Sequence, residues 1–138
     1  MFVTVSVWGV VLAAVSAMAI GTIWYSPLLF GKQWSKAMGI SDKEMNSKRA
    51  KVMPLLVLAS VVTAYALSLV TAYMTTSVAG SGVKVGLEAG LLVWLGFAAT
   101  ALVVHGVFDN RSNDLLYINV GNRLFTLAAM GLIIGAYR

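Results

Sequence analysis

The polar residues best placed to do chemistry lie in the last two apolar stretches of the chain. Asn119, Asn122 and Arg123 are spaced at i, i+3 and i+4, so a helix presents all three on one face. His105 and Asp109 are one turn apart in the preceding stretch. If the two stretches are antiparallel spans, these five side chains can form a polar cluster inside a membrane. Ionisable residues there are functional candidates, although hydrogen bonds that only hold two helices together produce the same pattern.

Two charged residues in these stretches need a partner or access to water. Arg123 lies about nine residues past a polar turn, roughly 13 Å along a helix, and we predict that it pairs with Asp109 or Asp114. Glu88, in the third apolar stretch, is a candidate membrane carboxylate for proton coupling. The alternative for Glu88 is an interfacial position, where water or Lys84 one turn earlier satisfies the carboxylate.

The residue content limits the kinds of catalytic and metal site. The chain has no Cys and a single His, so disulfides, thiol nucleophiles and Cys-ligated metals are excluded. His105 and Asp109 have the i, i+4 spacing of two metal ligands, but no other His and no Cys completes a set. No phosphate-binding loop, nucleophile and base set or paired carboxylates in a span is recognisable. We therefore predict a protein that is not an enzyme and has no catalytic residue, metal site or cofactor.

The chain has the composition of a helical membrane protein. Of its 138 residues 59% are hydrophobic and 11% are charged, and the mean hydropathy is +0.86. An apolar helix needs about 20 residues to cross the hydrocarbon core. Ala17-Met18-Ala19 resembles a cleavage site, but without a basic segment before it we favour a retained first span over a signal peptide. We predict an all-α fold, an integral membrane four-helix bundle in one transmembrane domain (1–138), with spans at about 2–25, 52–77, 85–108 and 115–137.

An aromatic border follows the first span. Pro27 stops the incoming helix, and an apolar stripe in the following residues predicts a short interfacial helix that ends at Gly39. Ser41 and Glu44 have the spacing of a capping box, which predicts the start of the next helix. Pro54 is expected to kink that helix or to mark a junction between an aqueous portion and a span. We predict that four rings form an interface belt at the membrane surface: Trp24, Tyr25, Phe30 and Trp34.

Positive charge is concentrated in the loop after the first span. Six of the ten Lys and Arg residues lie in this basic loop, about 28–51: Lys32, Lys36, Lys43, Lys48, Arg49 and Lys51. Arg111 belongs to the third loop, which in a four-span chain lies on the same side of the membrane as the first loop. By the positive-inside rule we predict that these loops are cytoplasmic and both termini are outside, in the inner (plasma) membrane of a bacterium. The expected partners are the lipid bilayer and anionic lipid at the basic loop, and no nucleic acid.

Small residues recur at every fourth position in three of the spans. Such faces allow close helix packing, although small residues are also simply tolerated in lipid. Because one compact bundle needs fewer of these faces, we predict a homo-oligomer, and a larger membrane complex is the other assembly that they allow. The faces are Gly9, Ala13, Ala17 and Gly21; Ser60, Ala64, Ser68 and Ala72; and Gly131 with Gly135.

Two parts of the chain together resemble a known family. They are Gly21-Thr22-Ile23-Trp24-Tyr25-Ser26-Pro27-Leu28-Leu29-Phe30-Gly31-Lys32-Gln33-Trp34, and Phe108-Asp109-Asn110-Arg111-Ser112 followed by Tyr117-Ile118-Asn119-Val120-Gly121 and Met130-Gly131. They are similar to the small bacterial and fungal membrane proteins grouped as domain-of-unknown-function family 1761, over essentially the whole chain. The resemblance implies a four-span membrane protein, and it implies no activity, cofactor or catalytic residue.

These features support two functional hypotheses of different class. The leading hypothesis is a transport path for a small solute or ion, formed by an oligomer. A proton-coupled exporter would need a carboxylate deep in a span, and the shallow position of Glu88 counts against that variant. The alternative is a non-transporting accessory, scaffold or assembly subunit of a membrane complex, whose basic loop binds anionic lipid or a partner.

Overall fold

The structure, a computed structural model, describes residues 3–110 and 112–138, and every regular element in these ranges is helical. Four helices are long and apolar enough to cross a membrane, which confirms the predicted all-α fold of a four-span integral membrane protein. Arg111, which contributes to the predicted charge asymmetry, lies outside the described residues. The elements are α1 (Val7–Trp24), α2 (Gly31–Met38), α3 (Asp42–Thr75), α4 (Gly82–Val93), a π-helical segment (Trp94–Ala99), α5 (Thr100–Phe108) and α6 (Asn113–Ala136).

A serine caps the start of each membrane-spanning helix. The hydroxyl oxygens of Ser6, Ser41, Ser81 and Ser112 each accept a hydrogen bond from the backbone N–H three residues later, over 3.2 to 3.4 Å. Each cap satisfies one of the backbone donors that a helix start leaves free. The predicted helix start at Ser41 is confirmed, since the backbone N–H of Glu44 is the donor there.

The short helix predicted after the first span is α2. It ends where Gly39 adopts a left-handed conformation, φ 69°, which a glycine reaches without steric penalty. α2 packs against α3 and α6, and the buried Ser35 hydroxyl lies 3.1 Å from the sulfur of Met45 on α3. α2 therefore lies against the bundle.

α3 is longer than a bilayer is thick. Its 34 residues extend roughly 51 Å, against about 30 Å for the hydrocarbon core. The helix is continuous through Pro54, and its first turns carry Lys43, Lys48 and Lys51 as exposed side chains. Much of the predicted basic loop is therefore helical, because the helix of the second span begins ten residues before the apolar run.

α6 is the central helix of the bundle. It packs against α1, α3 and α4, and 44% of the residues in its most apolar stretch of 18 are buried. In the most apolar stretch of the span Gly82–Phe108 only 6% are buried. Its core side chains are Leu127, Met130 and Ile134. They contact a layer of small and branched residues contributed by the other three spans: Ala13, Ala14, Ala64, Leu67 and Ala89.

α4 and α6 touch backbone to backbone through glycine. A Cβ atom built on Gly86 would overlap the carbonyl oxygen of Gly131, and one on Gly135 would overlap that of Gly82. Gly90 meets the carbonyl of Leu127 in the same way. Such close approach is the packing that small residues at four-residue spacing permit. The sequence analysis identified only the α6 side of this contact.

Five of the eight small residues in the faces of α1 and α3 are also buried within one chain. Gly9 and Ala13 on α1 are buried, and Ala64, Ser68 and Ala72 on α3 are between 0% and 2% exposed. The predicted homo-oligomer depended on a surplus of such faces, and the intramolecular contacts remove that reason for it. Self-association would therefore use another surface.

The third span changes character at its middle. α4 is held by the glycine contact, whereas the π-helical segment and α5 contain no buried residue. One turn of π-helix inserts an extra residue into the hydrogen-bond ladder, and such turns are frequent at functional sites. The apolar pattern of the sequence does not reveal this segment, because its residues are as hydrophobic as those of an α-helix.

Candidate functional site

The aromatic border anchors the end of α1 to α6. The indole N–H of Trp24 donates a hydrogen bond to the carbonyl oxygen of Ile118 over 3.0 Å, and the Tyr25 hydroxyl donates to Oδ1 of Asn119 over 2.7 Å. The Trp24 ring also stacks on Phe30, with centroids 4.8 Å apart. Two of the four predicted belt residues thus use their polar atoms inside the protein.

Two glycines make this anchor sterically possible. A Cβ atom on Gly31 would overlap the carbonyl oxygen of Tyr25, so the tight turn between α1 and α2 requires glycine there. A Cβ atom on Gly121 would lie 3.1 Å from the Trp24 ring, so this glycine leaves room for the indole on α6. From the other side of α6, the indole N–H of Trp94 donates to the carbonyl of Val120 over 3.1 Å.

A cavity of about 240 Å³ lies between α1, α3 and α6, directly beside this anchor. At roughly 30 Å³ for each water molecule, it has space on the order of eight non-hydrogen atoms. Its lining combines polar groups with apolar side chains: Ala17, Met18, Gly21, Thr22, Tyr25, Arg49, Met53, Leu56, Ala59, Ser60, Thr63, Asn122, Arg123, Thr126 and Met130.

The cavity is cationic. Arg49 and Arg123 both line it, none of its lining residues is acidic, and both arginines act electrostatically on the Tyr25 hydroxyl. Nη2 of Arg49 lies 3.4 Å from the carbonyl oxygen of Tyr25, to which it donates a weak hydrogen bond. Carbonyl contact leaves the positive charge of the half-buried Arg49 uncompensated, Arg123 is exposed at the same cavity, and two positive groups together attract an anion.

Asn122 adds an unused hydrogen-bond donor to the same cavity. The residue is 7% exposed, and its Nδ2 is a buried polar atom without a partner in the described residues. Buried amide groups nearly always have a hydrogen-bond partner, and leaving one unpaired is costly. The Nδ2 atom itself is fully buried, so a movement of the side chain is needed before the amide can donate to an occupant of the cavity.

The contact between Tyr25 and Asn119 sets the depth of the cationic groups. Because α1 ends at Trp24, Tyr25 lies at the level where the first membrane-spanning helix ends. Arg123 is four residues beyond Asn119 on α6, which corresponds to about 6 Å of helical rise. Arg123 is thus shallower than the roughly 13 Å expected from sequence, since the first turns of α6 project past α1 and lie beside α2.

The predicted polar cluster is divided by the structure. Asn122 and Arg123 line the cavity, and Asn119 lies next to it through its bond with Tyr25. His105 and Asp109 are exposed near the C-terminal end of α5 and do not belong to the cavity lining. His105 and Asp109 therefore lie outside the group formed by Asn119, Asn122 and Arg123, which sequence spacing alone does not reveal.

The predicted ion pair of Arg123 with Asp109 or Asp114 is wrong for the part of the chain that the structure describes. Arg123 lines the cavity that α6 shares with α1 and α3, whereas Asp109 follows the last residue of α5 and Asp114 lies in the first turn of α6, nine residues before Arg123. An ion pair that does form joins Nζ of Lys84 to Oε1 of Glu88 over 3.8 Å, with side chains 63% and 41% exposed. Glu88 thus has the partner that its interfacial alternative requires.

Arg49 is the site residue that sequence analysis missed. It was counted as one charge of the basic loop, but it is partly buried, whereas Lys43, Lys48 and Lys51 are exposed. The available signal was helical periodicity. Positions 49, 53, 56, 60 and 63 follow the i, i+4, i+7, i+11, i+14 spacing of one helix face, so Arg49 continues the face of Ser60 and Thr63.

The two motifs that carry the family resemblance meet in this region, since Trp24 and Tyr25 of the first bind Ile118 and Asn119 of the second. No curated protein and no solved structure matches the chain. A family model described as "Protein of unknown function (DUF1761)" matches residues 8–135, which include nearly all of the four membrane-spanning helices. This integral membrane protein therefore belongs to the DUF1761 family.

Proposed function

We propose that the protein binds a small anionic solute in the cavity between α1, α3 and α6 and provides a path for it across the membrane. The observation that carries this proposal is the presence of two arginines, Arg49 and Arg123, in the lining of a cavity that has no acidic lining residue. The unpartnered amide of Asn122 supports it, because this group also donates hydrogen bonds. The site lies within one chain, so transport does not require the path between subunits that sequence analysis suggested.

The electrostatics of the cavity favour an anion. Two unit charges 4 Å apart interact by about 4 kcal/mol at an effective dielectric constant of 20. That attraction is of the same order as the roughly 2.5 to 3.5 kcal/mol that an arginine costs deep in a membrane helix. Because Arg123 is shallow and exposed, its own penalty is smaller than this, and a bound anion would offset it.

Passage to the other side requires a helix movement. Beyond Ala17 and Thr63 the bundle is closed by the packed side chains of Ala13, Ala64 and Leu67. α1 and α3 meet here through small residues, whereas α4 and α6 are in backbone contact. Separation of α1 from α3 is therefore the movement that we propose opens the path.

Flux into proteoliposomes tests the transport proposal. The probes are inorganic phosphate, methanesulfonate and pentanesulfonate, whose charge prevents them from crossing lipid as neutral acids. We expect uptake above that of empty vesicles, and at least a tenfold decrease for Arg49→Gln and for Arg123→Gln. Lys43→Gln and Arg138→Gln remove the same charge outside the cavity lining and should keep wild-type flux. Flux that is absent for all probes, or equal in all variants, would contradict transport.

A second candidate function is a non-transporting accessory or scaffold subunit. The observation in its favour is the exposed basic surface at the start of α3, formed by Lys43, Lys48 and Lys51. Each such charge adds about 1 kcal/mol of attraction to anionic lipid at the membrane surface. Under this alternative, replacing the three lysines with Gln should reduce co-purified anionic lipid, whereas Arg123→Gln should not.

The orientation of the site is tested by cysteine labelling. We expect Lys48→Cys to resist an impermeant thiol reagent added outside intact cells, because the basic loop is predicted to be cytoplasmic. A cysteine appended after Arg138 should react under the same conditions. The chain has no native Cys, so both variants carry a single thiol. Labelling of the Lys48 variant from outside would reverse the proposed orientation.

Self-association is tested by mass measurement in lipid nanodiscs. The π-helical segment and α5 expose Leu95, Phe97, Val104 and Val107 and offer the least-covered side of the bundle. A homo-oligomer is expected to use this side, and Phe97→Arg should then lower its mass to that of one chain. A single-chain mass for the wild type would contradict the homo-oligomer and leave the cavity proposal unaffected.

A further inference from the structure

The cavity that we propose as the anion site has two chemically different ends. Tyr25, Arg49, Asn122 and Arg123 lie at the end where α1 stops. Ala59 lies ten residues after Arg49 on α3, about 15 Å further along the helix by its rise, and is an exposed residue of the lining. The lining at this inner end combines the apolar side chains of Ala17, Met18, Ala59 and Met130 with the hydroxyl residues Ser60, Thr63 and Thr126.

The polar end offers donors rather than acceptors. Arginine guanidinium groups and the Asn122 amide nitrogen can only donate hydrogen bonds. The Tyr25 hydroxyl already donates to Asn119. Further in, the hydroxyl groups of Thr22 and Ser60 donate to carbonyl oxygens of their own helices, over 2.8 and 2.9 Å. A ligand head at this end is therefore an acceptor of hydrogen bonds and carries negative charge.

The apolar end excludes a ligand that is polar throughout. Inorganic phosphate would satisfy the arginines, but it would leave the apolar side chains of the inner half, such as Met18 and Met130, without a complementary group. An alkyl tail fills that half and gains about 0.8 kcal/mol for each buried methylene, which is roughly a fourfold gain in affinity. The two ends together therefore select an amphiphile.

From this geometry we infer that the ligand is a single-chain alkyl carboxylate, with its head between Arg49 and Arg123 and its tail towards Ala59 and Met130. The planar carboxylate matches the forked donors of arginine. A cavity with space on the order of eight non-hydrogen atoms takes the size of hexanoate. This inference rests on the proposed anion site, but it does not require that the ligand is transported.

Calorimetric titration of the protein in nanodiscs, with empty nanodiscs subtracted, tests the inference. We expect hexanoate to bind at least tenfold more tightly than acetate, and 1-hexanol, which lacks the charge, to show no binding. Arg49→Gln and Arg123→Gln should each weaken hexanoate binding at least tenfold. Arg123→Lys keeps the positive charge but loses the two parallel donors of the guanidinium group. Its affinity for hexanoate should therefore lie between those of the wild type and Arg123→Gln.

The tail position has its own matched pair of variants. Ala59→Phe fills the inner end, and we expect it to lower the affinity for hexanoate to within threefold of that for acetate, while acetate binding is unchanged. Val62→Phe adds the same ring at an exposed position outside the cavity lining and should leave both affinities unchanged. Because Arg49, Arg123 and Ala59 lie on different turns, failure of one variant to fold leaves the other tests intact.

The outcomes separate this inference from the transport proposal. Equal affinity for hexanoate and acetate, or an affinity that Ala59→Phe does not change, overturns the alkyl carboxylate while an anion site remains. Tight, arginine-dependent hexanoate binding without flux of any of the three transport probes keeps the inference and rejects transport. Absence of binding for every anion overturns both.

Discussion

The two ends of α6 are packed by different means. At its C-terminal end, Gly131 and Gly135 meet the backbone of α4 with no side chain between the helices. At its N-terminal end, the helix is held by hydrogen bonds from Trp24, Tyr25 and Trp94, and a cavity remains beside it. One end of the helix is therefore dry and closed, while the other is polar and roomy.

This difference shows how the bundle can combine stability with a binding site. Backbone contact between α4 and α6 fixes their distance without using any polar group, and it leaves no volume for a ligand. Directional bonds at the other end hold α1 against α6 while α3 stays far enough away to leave about 240 Å³. The cost of this arrangement is the buried and unpaired amide of Asn122.

The largest effect should come from a methyl group at the dry end. Gly86→Ala places a Cβ atom in the carbonyl oxygen of Gly131, so α4 and α6 must separate, and we expect a loss of about 2 kcal/mol in stability. Gly96→Ala is the matched control, because nothing lies within 4 Å of the added atom. Thermal unfolding in detergent compares the two variants. Equal melting temperatures would show that the glycine contact is not formed.

An opposite effect is expected at the polar end. Asn122→Leu replaces an unpaired amide by an apolar group of similar size, and we expect the protein without ligand to gain about 1 kcal/mol in stability. Anion binding should weaken in the same variant. Unfolding with and without hexanoate measures both changes. Destabilisation of the ligand-free protein would mean that the amide already has a partner, and Asn122 would then be a structural residue.

A smaller effect is expected for the bond that anchors α1. Tyr25→Phe removes the hydrogen bond to Asn119, and polar bonds between membrane helices contribute about 0.6 kcal/mol on average. Tyr73→Phe is the control, because this ring is 58% exposed. A double-mutant cycle with Asn119→Ala isolates the pair. A coupling energy of zero would contradict the anchor.

The smallest effect is expected far from both packed ends. Glu88→Gln breaks an ion pair whose side chains are 63% and 41% exposed, and screening by water limits the loss to about 0.3 kcal/mol. Anion flux should be unchanged, since Glu88 does not line the cavity. Flux measured with and without a pH gradient checks this. Loss of flux in the variant would restore Glu88 as a proton-coupling site.

Features that depend on one segment of chain were predictable from the sequence. The number of spans follows from the length and apolarity of each stretch, and the cap at Ser41 follows from two side chains three residues apart. Gly39 as a helix stop is equally local. Asn122 and Arg123 could be selected as candidates because a charged or amide side chain is rare in an apolar helix.

Features that depend on which helix faces meet were decided only by the tertiary structure. Gly131 and Gly135 could have met a second chain or α4, and both alternatives satisfy the same spacing. Tyr25 could have pointed to lipid headgroups, yet it binds Asn119, 94 residues away in the chain.

By itself, then, the sequence determined four apolar helices with their caps and a basic segment. That Arg49 and Arg123 share one cavity depends on the rotation of α3 and α6 about their axes. Side-chain packing sets those rotations, because the lipid-facing and protein-facing sides of these helices are similarly apolar.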